Sequence, residues 1–285
     1  EKLVVEWESI RECVKELLFR DAIGECAEII TMLETVIEKG LPHGRIAVCF
    51  TPDEEVGHGA ALLDLERFGA DFAYTVDGGE LEQINYETFN AAAARWTIRG
   101  TEVHPGSAKG IMVNAAAIAA EIVCALPKAE TPERTEGREG FYHLTGIRGD
   151  VGRAELEFII RDHDRERFEA RKETMRALCD RINGEYGDGV AALDLRDQYY
   201  NMAEKLAEHP EVLEKARRAV QALGEEPVFT PIRGGTDGAQ LSFRGLPCPN
   251  LGTGGFCFHG PYEHITAERM DRMVDLVLAL TAQYI

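Results

Sequence analysis

The 285-residue sequence lacks the features that would place it in a membrane or outside the cell. No apolar run approaches the roughly 18 residues of a membrane span, so we expect no transmembrane helix. The first ten residues are acidic and mixed in character, so we expect no secretory signal. The seven cysteines are dispersed and include no C-x-x-C pair, which argues against a disulfide framework or a cysteine zinc site. The sequence therefore predicts a cytoplasmic protein with reduced thiols.

Basic residues are also scarce. Lys and Arg number 31 against 50 Asp and Glu, which gives a net charge of −19. Such a surface repels nucleic acids and anionic membranes, so we expect neither as a partner. The sequence contains no G-x-G-x-x-G and no G-K-[ST] motif, which excludes a dinucleotide fingerprint and a P-loop. Hydrophobic residues make up 45%, which is enough for a buried core.

Strand and helix patterns alternate at both ends of the chain. Short apolar runs predict strands at 45–50, 71–76, 227–232 and 248–251. Apolar residues at helical spacing predict helices at 23–39, 210–223 and 267–284. Gly40 follows the first of these helices, where a C-cap glycine is typical. These patterns predict an α/β domain.

The middle of the chain follows another order. We predict strands at 93–99, 141–147, 153–161 and 190–195, and helices at 112–126 and 165–182. This β-α-β-β-α-β order is the ferredoxin-like pattern. We therefore expect residues 88–195 to form an inserted α+β domain, with an α/β domain divided between residues 1–87 and 196–285.

Polar residues suited to chemistry cluster in loops that follow predicted strands of the α/β domain. They occur in the segments TPDEEVG at 51–57, VDGG at 76–79, IRGGTDG at 232–238 and FCFHG at 256–260. Carboxylates and a histidine at strand ends suit a metal-assisted hydrolase, which needs oxygen and nitrogen ligands and a spare carboxylate. A further segment, VHPGSAKG at 103–110, lies in the insert. Each segment alone is also compatible with an ordinary turn, a solvated loop or, for the histidine, a core position.

Taken together, these segments resemble the peptidase T family, the tripeptide aminopeptidases of the di-zinc exopeptidase superfamily. The resemblance extends from about residue 41 to residue 259 and also includes EGFYHL, IIRDHDRERFEARK, DQYYNM and GLPCPN. It implies a zinc-exopeptidase-like catalytic domain with an inserted ferredoxin-like lid domain. It also implies two zinc ions in each subunit, a small peptide as substrate and a homodimer.

The resemblance implies a role for each matching residue. Glu54 matches the general base, and His104 matches the insert-domain histidine that stabilises the oxyanion. Glu55 and His259 match ligands of one zinc, Asp77 matches a ligand of the other, and Asp21 falls on the bridging position. The implied contacts with the substrate carboxylate are Arg233, Arg161, Asn114, Gly234 and Gly235.

The sequence departs from the family pattern in two respects. No His-x-Asp motif precedes the TPDEE segment, and Asp21 stands in LFRDAIGE where the family usually has GADDKAG. The chain also begins at Glu1 rather than Met, so we expect the natural amino end to be missing. We therefore expect this chain to hold closer to one zinc than two, and to hydrolyse tripeptides at least ~100-fold more slowly than an intact relative. A related metallo-dipeptidase or carboxypeptidase, and a truncated non-catalytic relative, remain the alternatives.

Overall fold

The computed structural model describes residues 23–51, 59–258 and 260–285. Contacts between residues divide the chain into two units. The first unit holds the residues up to Tyr86 together with Met202–Thr230 and Thr236–Ile285. The second unit holds Glu87–Asn201 and Pro231–Gly235, so the 88–195 segment lies within it.

The strands and helices have the following bounds. The strands are β1 Thr75–Gly78, β2 Gln83–Glu87, β3 Asn90–Arg99, β4 Phe141–Gly149, β5 Arg153–Asp162, β6 Ala191–Tyr199, β7 Val228–Pro231 and β8 Asn250–Gly252. The α-helices are α1 Ile23–Lys39, α2 Leu65–Phe68, α3 Ala115–Ala125, α4 Arg165–Tyr186, α5 Ala203–Leu206, α6 Pro210–Ala222, α7 Asp237–Phe243 and α8 Ala267–Thr281. Short 3₁₀ turns occupy Gly59–Leu62, Pro105–Ser107, Pro132–Arg134 and Ala282–Tyr284.

The first unit is built on a mixed sheet with the order β1-β8-β2-β7. Strand β1 runs parallel to β8, and β2 runs antiparallel to β8. Apolar side chains of α1, α6 and α8 share one buried cluster with the sheet residues Ile84 and Leu251. Gly40 ends α1 at φ 59°, the left-handed conformation that a glycine adopts without strain. The α/β architecture predicted for the two ends of the chain is confirmed.

The second unit has an antiparallel sheet with the order β4-β5-β3-β6. Numbered within this unit, its strands follow the 2-3-1-4 order of a ferredoxin-like fold. Every second residue of β5, from Ala154 to Ile160, is buried, and these side chains share a core with Trp96 on β3. Ile118 and Ile122 of α3 and Phe168 and Met175 of α4 complete that core. The predicted ferredoxin-like insert is confirmed, because the period-2 alternation of the sequence marks the face that the two helices cover.

One predicted strand is absent. Residues 41–50 form neither helix nor strand. In the sheet that the structure describes, β1 pairs with β8, and no strand pairs with the 45–50 segment. The apolar residues of this segment therefore have no neighbouring strand with which to form backbone hydrogen bonds. Ile46 and Val48 instead line a largely apolar cavity of about 470 Å³ within the first unit.

The edges of other elements also differ from the prediction. The strand expected at 71–76 begins at Thr75, and the sequence pattern did not reveal β2. In the ranges covered by the structure, no helix combines the length and hydrophobicity needed to cross a membrane.

Candidate active site

Four of the residues implied by the family resemblance lie outside the described residues. They are Asp21, Glu54, Glu55 and His259. Their roles, and the convergence of Glu55 and His259 with Asp77, therefore remain predictions. Within residues 23–51, 59–258 and 260–285, no three His, Cys, Asp or Glu side chains are grouped closely enough to hold a metal ion.

Asp77 occupies an exposed position near the carboxyl end of β1. The register of β1 against β8 shifts between Val76 and Gly78, so Asp77 sits at an irregularity of the parallel pair. The Asp77 carbonyl accepts a hydrogen bond of 3.0 Å from Asn250 Nδ2, which fixes the backbone at this point. Gly78 is required here, because a Cβ atom would lie 2.6 Å from the carbonyl oxygen of Leu251. This carboxylate therefore stands at the edge of the sheet where α/β proteins bind ligands.

The loop that leads to His259 leaves the sheet beside Asp77. Gly254 N donates to Gly79 O at 2.9 Å, and Thr253 Oγ1 donates to Gly78 O at 3.0 Å. The backbones that follow β1 and β8 are thus tied together. The structure brings the Asp77 turn and the start of the glycine-rich loop to one place, as the sequence predicted for strand ends of one sheet.

Asp237 lies at the start of α7 and is only 5% exposed. Its Oδ2 accepts a hydrogen bond of 2.8 Å from Thr51 Oγ1, and its Oδ1 accepts one of 3.0 Å from Ala60 N. A Cβ atom on Gly59 would lie 2.4 Å from Asp237 Oδ2, so the carboxylate needs a glycine at that position. One carboxylate therefore holds the residues on either side of the segment that carries Glu54 and Glu55.

His104 is exposed and precedes the 3₁₀ turn Pro105–Ser107. Its Nδ1 accepts a hydrogen bond of 3.1 Å from Gly106 N. A ring nitrogen that accepts carries no proton, so in the neutral ring the proton is on Nε2. His104 therefore presents an N–H donor at Nε2, which is the group that an oxyanion would need.

Asn114 is the N-cap of α3. Its side-chain oxygen accepts a hydrogen bond of 3.1 Å from Ala117 N and so satisfies one of the free N–H groups of the first helical turn. The side-chain amide N–H₂ group takes no part in this bond. Asn114 thus has a structural function besides the substrate contact that the resemblance implies.

Arg161, Tyr199 and Gly235 lie together in the second unit. The Arg161 guanidinium carbon is 5.4 Å from the centre of the Tyr199 ring. A Cβ atom on Gly235 would lie 2.5 Å from Tyr199 Cζ, so the Gly235 backbone rests against this ring. Burial lowers the pKa of the Arg161 guanidinium and raises the pKa of the Tyr199 phenol. The sequence pattern named Arg161 and the glycines, but it gave no reason to single out Tyr199.

Arg233 faces a different part of the second unit. Its Nη1 donates to the carbonyls of Gly137 and Glu139 at 2.9 and 3.0 Å, and its Nη2 donates to Thr135 Oγ1 at 2.8 Å. The guanidinium also lies 5.2 Å from the centre of the Phe89 ring. These bonds use three of the five guanidinium N–H donors. Arg233 therefore secures the 135–139 loop, and two of its donors take no part in these bonds.

Comparison with known proteins identifies relatives of the chain. The family described as Peptidase dimerisation domain matches residues 86–187. Peptidase T of Bacillus licheniformis is 51% identical over 93% of this chain, and the chain spans 65% of the length of that relative. Peptidase T of Shigella boydii serotype 18 is 50% identical over 94% of this chain and 67% of its own length.

Solved structures show the same fold. The aminopeptidase PepT of Bacillus cereus superposes with a TM-score of 0.80 and 26% identity, over 93% of this chain and 70% of that one. A tripeptidase of Staphylococcus aureus gives a TM-score of 0.81 at 23% identity, over 92% and 70% of the two chains. The YXEP protein of Bacillus subtilis, a dinuclear metal binding peptidase of the M20 family, gives 0.67 at 17% identity, over 92% and 72%.

Proposed function

Because this chain belongs to the peptidase T family, we propose that it acts in metal-dependent hydrolysis that releases the N-terminal residue of tripeptides. The observation that carries this proposal is the position of Asp77. It is an exposed carboxylate at the end of β1, and its turn is hydrogen-bonded to the loop that leads to His259. Thr51 and Ala60, which flank the segment bearing Glu54 and Glu55, are bonded to one residue of the same unit, Asp237.

The proposed metal ligands are Glu55, Asp77 and His259, with Asp21 as the bridging carboxylate. Carboxylate oxygens and an imidazole nitrogen fit a divalent ion such as zinc. When bound, the metal would supply acidity to the attacking water and polarisation to the scissile carbonyl. The family pattern has two ions in each subunit, and the ligands present in this sequence, which contains no His-x-Asp motif, fit closer to one.

Residues of the chain would then transfer the proton, stabilise the oxyanion and orient the peptide. Glu54 takes the proton of the attacking water and later delivers it to the leaving amine. His104 donates its Nε2–H to the oxygen that becomes negatively charged. Asn114, Arg161, Arg233 and the Gly234–Gly235 turn orient the peptide by its carboxylate.

The matched dimerisation family and the dispersed cysteines lead to two further proposals. The chain forms a homodimer through its second unit, and it works in the cytoplasm on small peptides.

A specific observation favours one further candidate, a non-catalytic relative. None of the eight histidines of this sequence stands in a His-x-Asp motif. A chain that lacks part of its ligand set would keep the fold and lose the reaction. A metallo-dipeptidase or carboxypeptidase would keep the chemistry and change the product.

One experiment separates these candidates. The purified chain is incubated separately with a tripeptide of three different residues and with a dipeptide, the products are identified by mass spectrometry, and bound metal is measured on the same sample. Release of the first residue, stopped by a chelator and restored by zinc, is expected. Release of the last residue would indicate a carboxypeptidase. Cleavage of the dipeptide alone would indicate a dipeptidase. No release with any divalent ion would contradict the proposal and favour the non-catalytic relative.

A further inference from the structure

The backbone turn at Asp77 is held by side chains as well as by the sheet. Three consecutive carbonyl oxygens, those of residues 77–79, accept hydrogen bonds from β8 and the loop that follows it. In chain order the donors are Asn250 Nδ2 at 3.0 Å, Thr253 Oγ1 at 3.0 Å and Gly254 N at 2.9 Å. Consecutive carbonyls of a regular strand point to opposite sides, so backbone donors of β8 alone do not serve three in a row.

Asp77 is an extra residue in the pairing of β1 with β8. Between Val76 and Gly78 the register advances by two residues in β1 but by only one in β8. An extra residue of this kind, as in a β-bulge, is left out of the backbone ladder and turns its side chain in a new direction. The Asn250 amide supplies the donor that the ladder does not provide for the Asp77 carbonyl.

The Asn250 side chain is itself held in one orientation. It is 0% exposed, and its Nδ2 also donates to Asn85 Oδ1 at 3.1 Å. Asn85 is the residue of β2 that pairs directly with Asn250, and its own Nδ2 donates to Thr230 Oγ1 at 2.8 Å. A backbone carbonyl oxygen can only accept, so exchange of the Asn250 oxygen and nitrogen would set two acceptors against each other at Asp77. The amide donor is therefore directed at Asp77.

The two halves of the Asn250 amide differ in their partners. Within the described ranges, Asn250 Oδ1 is buried and has no hydrogen-bond partner. A buried acceptor without a partner costs free energy, so an amide at this position is a poor means of stabilising the sheet. The donor half offsets that cost through two acceptors, Asn85 Oδ1 and the Asp77 carbonyl. Of these two acceptors, Asp77 is the residue that belongs to the proposed metal site.

We propose that Asn250 is a positioning residue for metal binding. Its amide donor holds the extra residue of β1 in place, and the Asp77 carboxylate is thereby held where it coordinates a divalent ion. This inference rests on the proposed function, because it takes Asp77 as a metal ligand. Asn250 acts through Asp77 and does not itself contact the ion. Loss of a residue that orients a metal ligand typically weakens metal binding about 10- to 100-fold.

The test measures zinc binding, without any substrate, by titration calorimetry on the full chain after a chelator has removed metal. Asn250→Ala should weaken zinc binding at least ~10-fold. The matched control is Asn85→Ala, which removes a buried amide of the same row and keeps the bond from Asn250 to the Asp77 carbonyl. Its zinc affinity should equal that of the unmodified chain. Equal losses in the two variants would show a purely structural role and would overturn the inference.

A double-variant comparison shows whether Asn250 acts through Asp77. Asp77→Asn keeps the backbone carbonyl and the shape of the side chain, removes the charged ligand, and should itself weaken zinc binding. In the Asp77→Asn background, Asn250→Ala should cause no further loss, because the ligand that it positions is already gone. Losses that add in the double variant would overturn the inference.

Thr253→Val gives a second, independent variant, which decides the matter if Asn250→Ala does not fold. It removes the donor to the Gly78 carbonyl and keeps the side-chain shape. Zinc affinity should fall in Thr253→Val and be restored in Thr253→Ser, which retains the hydroxyl. Unchanged affinity in Asn250→Ala, or in Thr253→Val where the first variant does not fold, would overturn the inference.

The outcomes also separate this inference from the proposed function. Zinc binding that depends on Asn250 as described, without release of an N-terminal residue from a tripeptide, would support the inference and count against the proposed function alone. Tripeptide hydrolysis by the unmodified chain, with zinc affinity unaffected in Asn250→Ala, would overturn the inference alone. Absence of zinc binding by the unmodified chain would overturn both.

Discussion

The hydroxyl of Thr51 donates a hydrogen bond of 2.8 Å to the buried carboxylate of Asp237, which lies 186 positions further along the chain. Asp237 also accepts from Ala60 N at 3.0 Å. The two bonds attach both flanks of the 52–58 segment to the first turn of α7. This attachment, rather than a strand at 45–50, secures Thr51 and Ala60, which flank the segment that carries Glu54 and Glu55.

Thr51→Val should therefore destabilise the first unit. The substitution keeps the shape of the side chain and removes one hydrogen bond to a carboxylate, which is worth about 1.5–3 kcal/mol. The free energy of unfolding, measured by urea titration, should fall by that amount. Thr51→Ser retains the hydroxyl and is the control. A valine variant as stable as the serine variant would show that this bond contributes nothing.

His163 makes the stability of the second unit depend on pH. It is 5% exposed, its Nδ1 lies 3.1 Å from Thr88 O, and its ring centroid is 4.2 Å from that of Phe89. Burial lowers the pKa of His163, although Glu87, at 3.7 Å, and Asp162 act in the opposite direction, and Arg138 adds to the lowering. The unfolded chain, with a histidine pKa of about 6.5, binds the proton more readily than the folded chain.

The stability that His163 contributes is therefore complete above about pH 6.5 and is lost as the pH falls toward the lower pKa of the folded state. His163→Asn keeps a donor near Thr88 and removes the titrating ring. Between pH 7.5 and 5.5, the unmodified chain should lose more free energy of unfolding than the asparagine variant does. Parallel stability curves for the two proteins would refute this prediction.

Asn114 is expected to combine capping with substrate contact, and two substitutions separate these effects. Asn114→Ala removes the bond to Ala117 N and should cost about 1 kcal/mol of stability. Asn114→Asp keeps the capping oxygen and loses the amide donor, so its stability should stay close to that of the unmodified chain. If the side chain also contacts the substrate, the aspartate variant will show a raised KM. An unchanged KM would confine Asn114 to its structural role.

Glu54 and Glu55 are adjacent and are proposed to have different functions. Glu54→Gln should reduce hydrolysis by at least ~10²-fold, because an amide cannot relay a proton, while bound metal stays unchanged. Glu55→Gln should lower metal content as well as activity, because it removes a ligand. Metal analysis and tripeptide hydrolysis on both variants provide the comparison. Loss of metal from the Glu54 variant would contradict its assignment as the base.

Much of the second unit was predictable from the sequence, because its determinants are local. Alternation along β5 and the apolar stripes of α3 and α4 define which faces are buried, and their order along the chain defines the ferredoxin-like topology. Family membership likewise followed from contiguous segments such as TPDEEVG and RGGTDG. Local pattern also placed Asp77 at the end of a strand.

Other features depended on tertiary contacts that no local pattern encodes. The apolar run at 45–50 predicts a strand, but a strand forms only where another strand can pair with it. In the described sheet, no strand pairs with this segment. The Pro231–Gly235 turn follows β7 of the first unit but belongs to the second, which is how Gly235 reaches Tyr199.

Periodicity and contiguous motifs are properties of neighbouring residues, so they were enough to predict the α/β and ferredoxin-like architecture and the family. The bond of Thr51 to Asp237 and the contact of Tyr199 with Arg161 join residues that are distant in sequence, so they depend on the fold. The pairing registers of β3 with β5 and β6 place Arg161 and Tyr199 on either side of Ala91, and register is a relationship between strands that lie far apart in the chain.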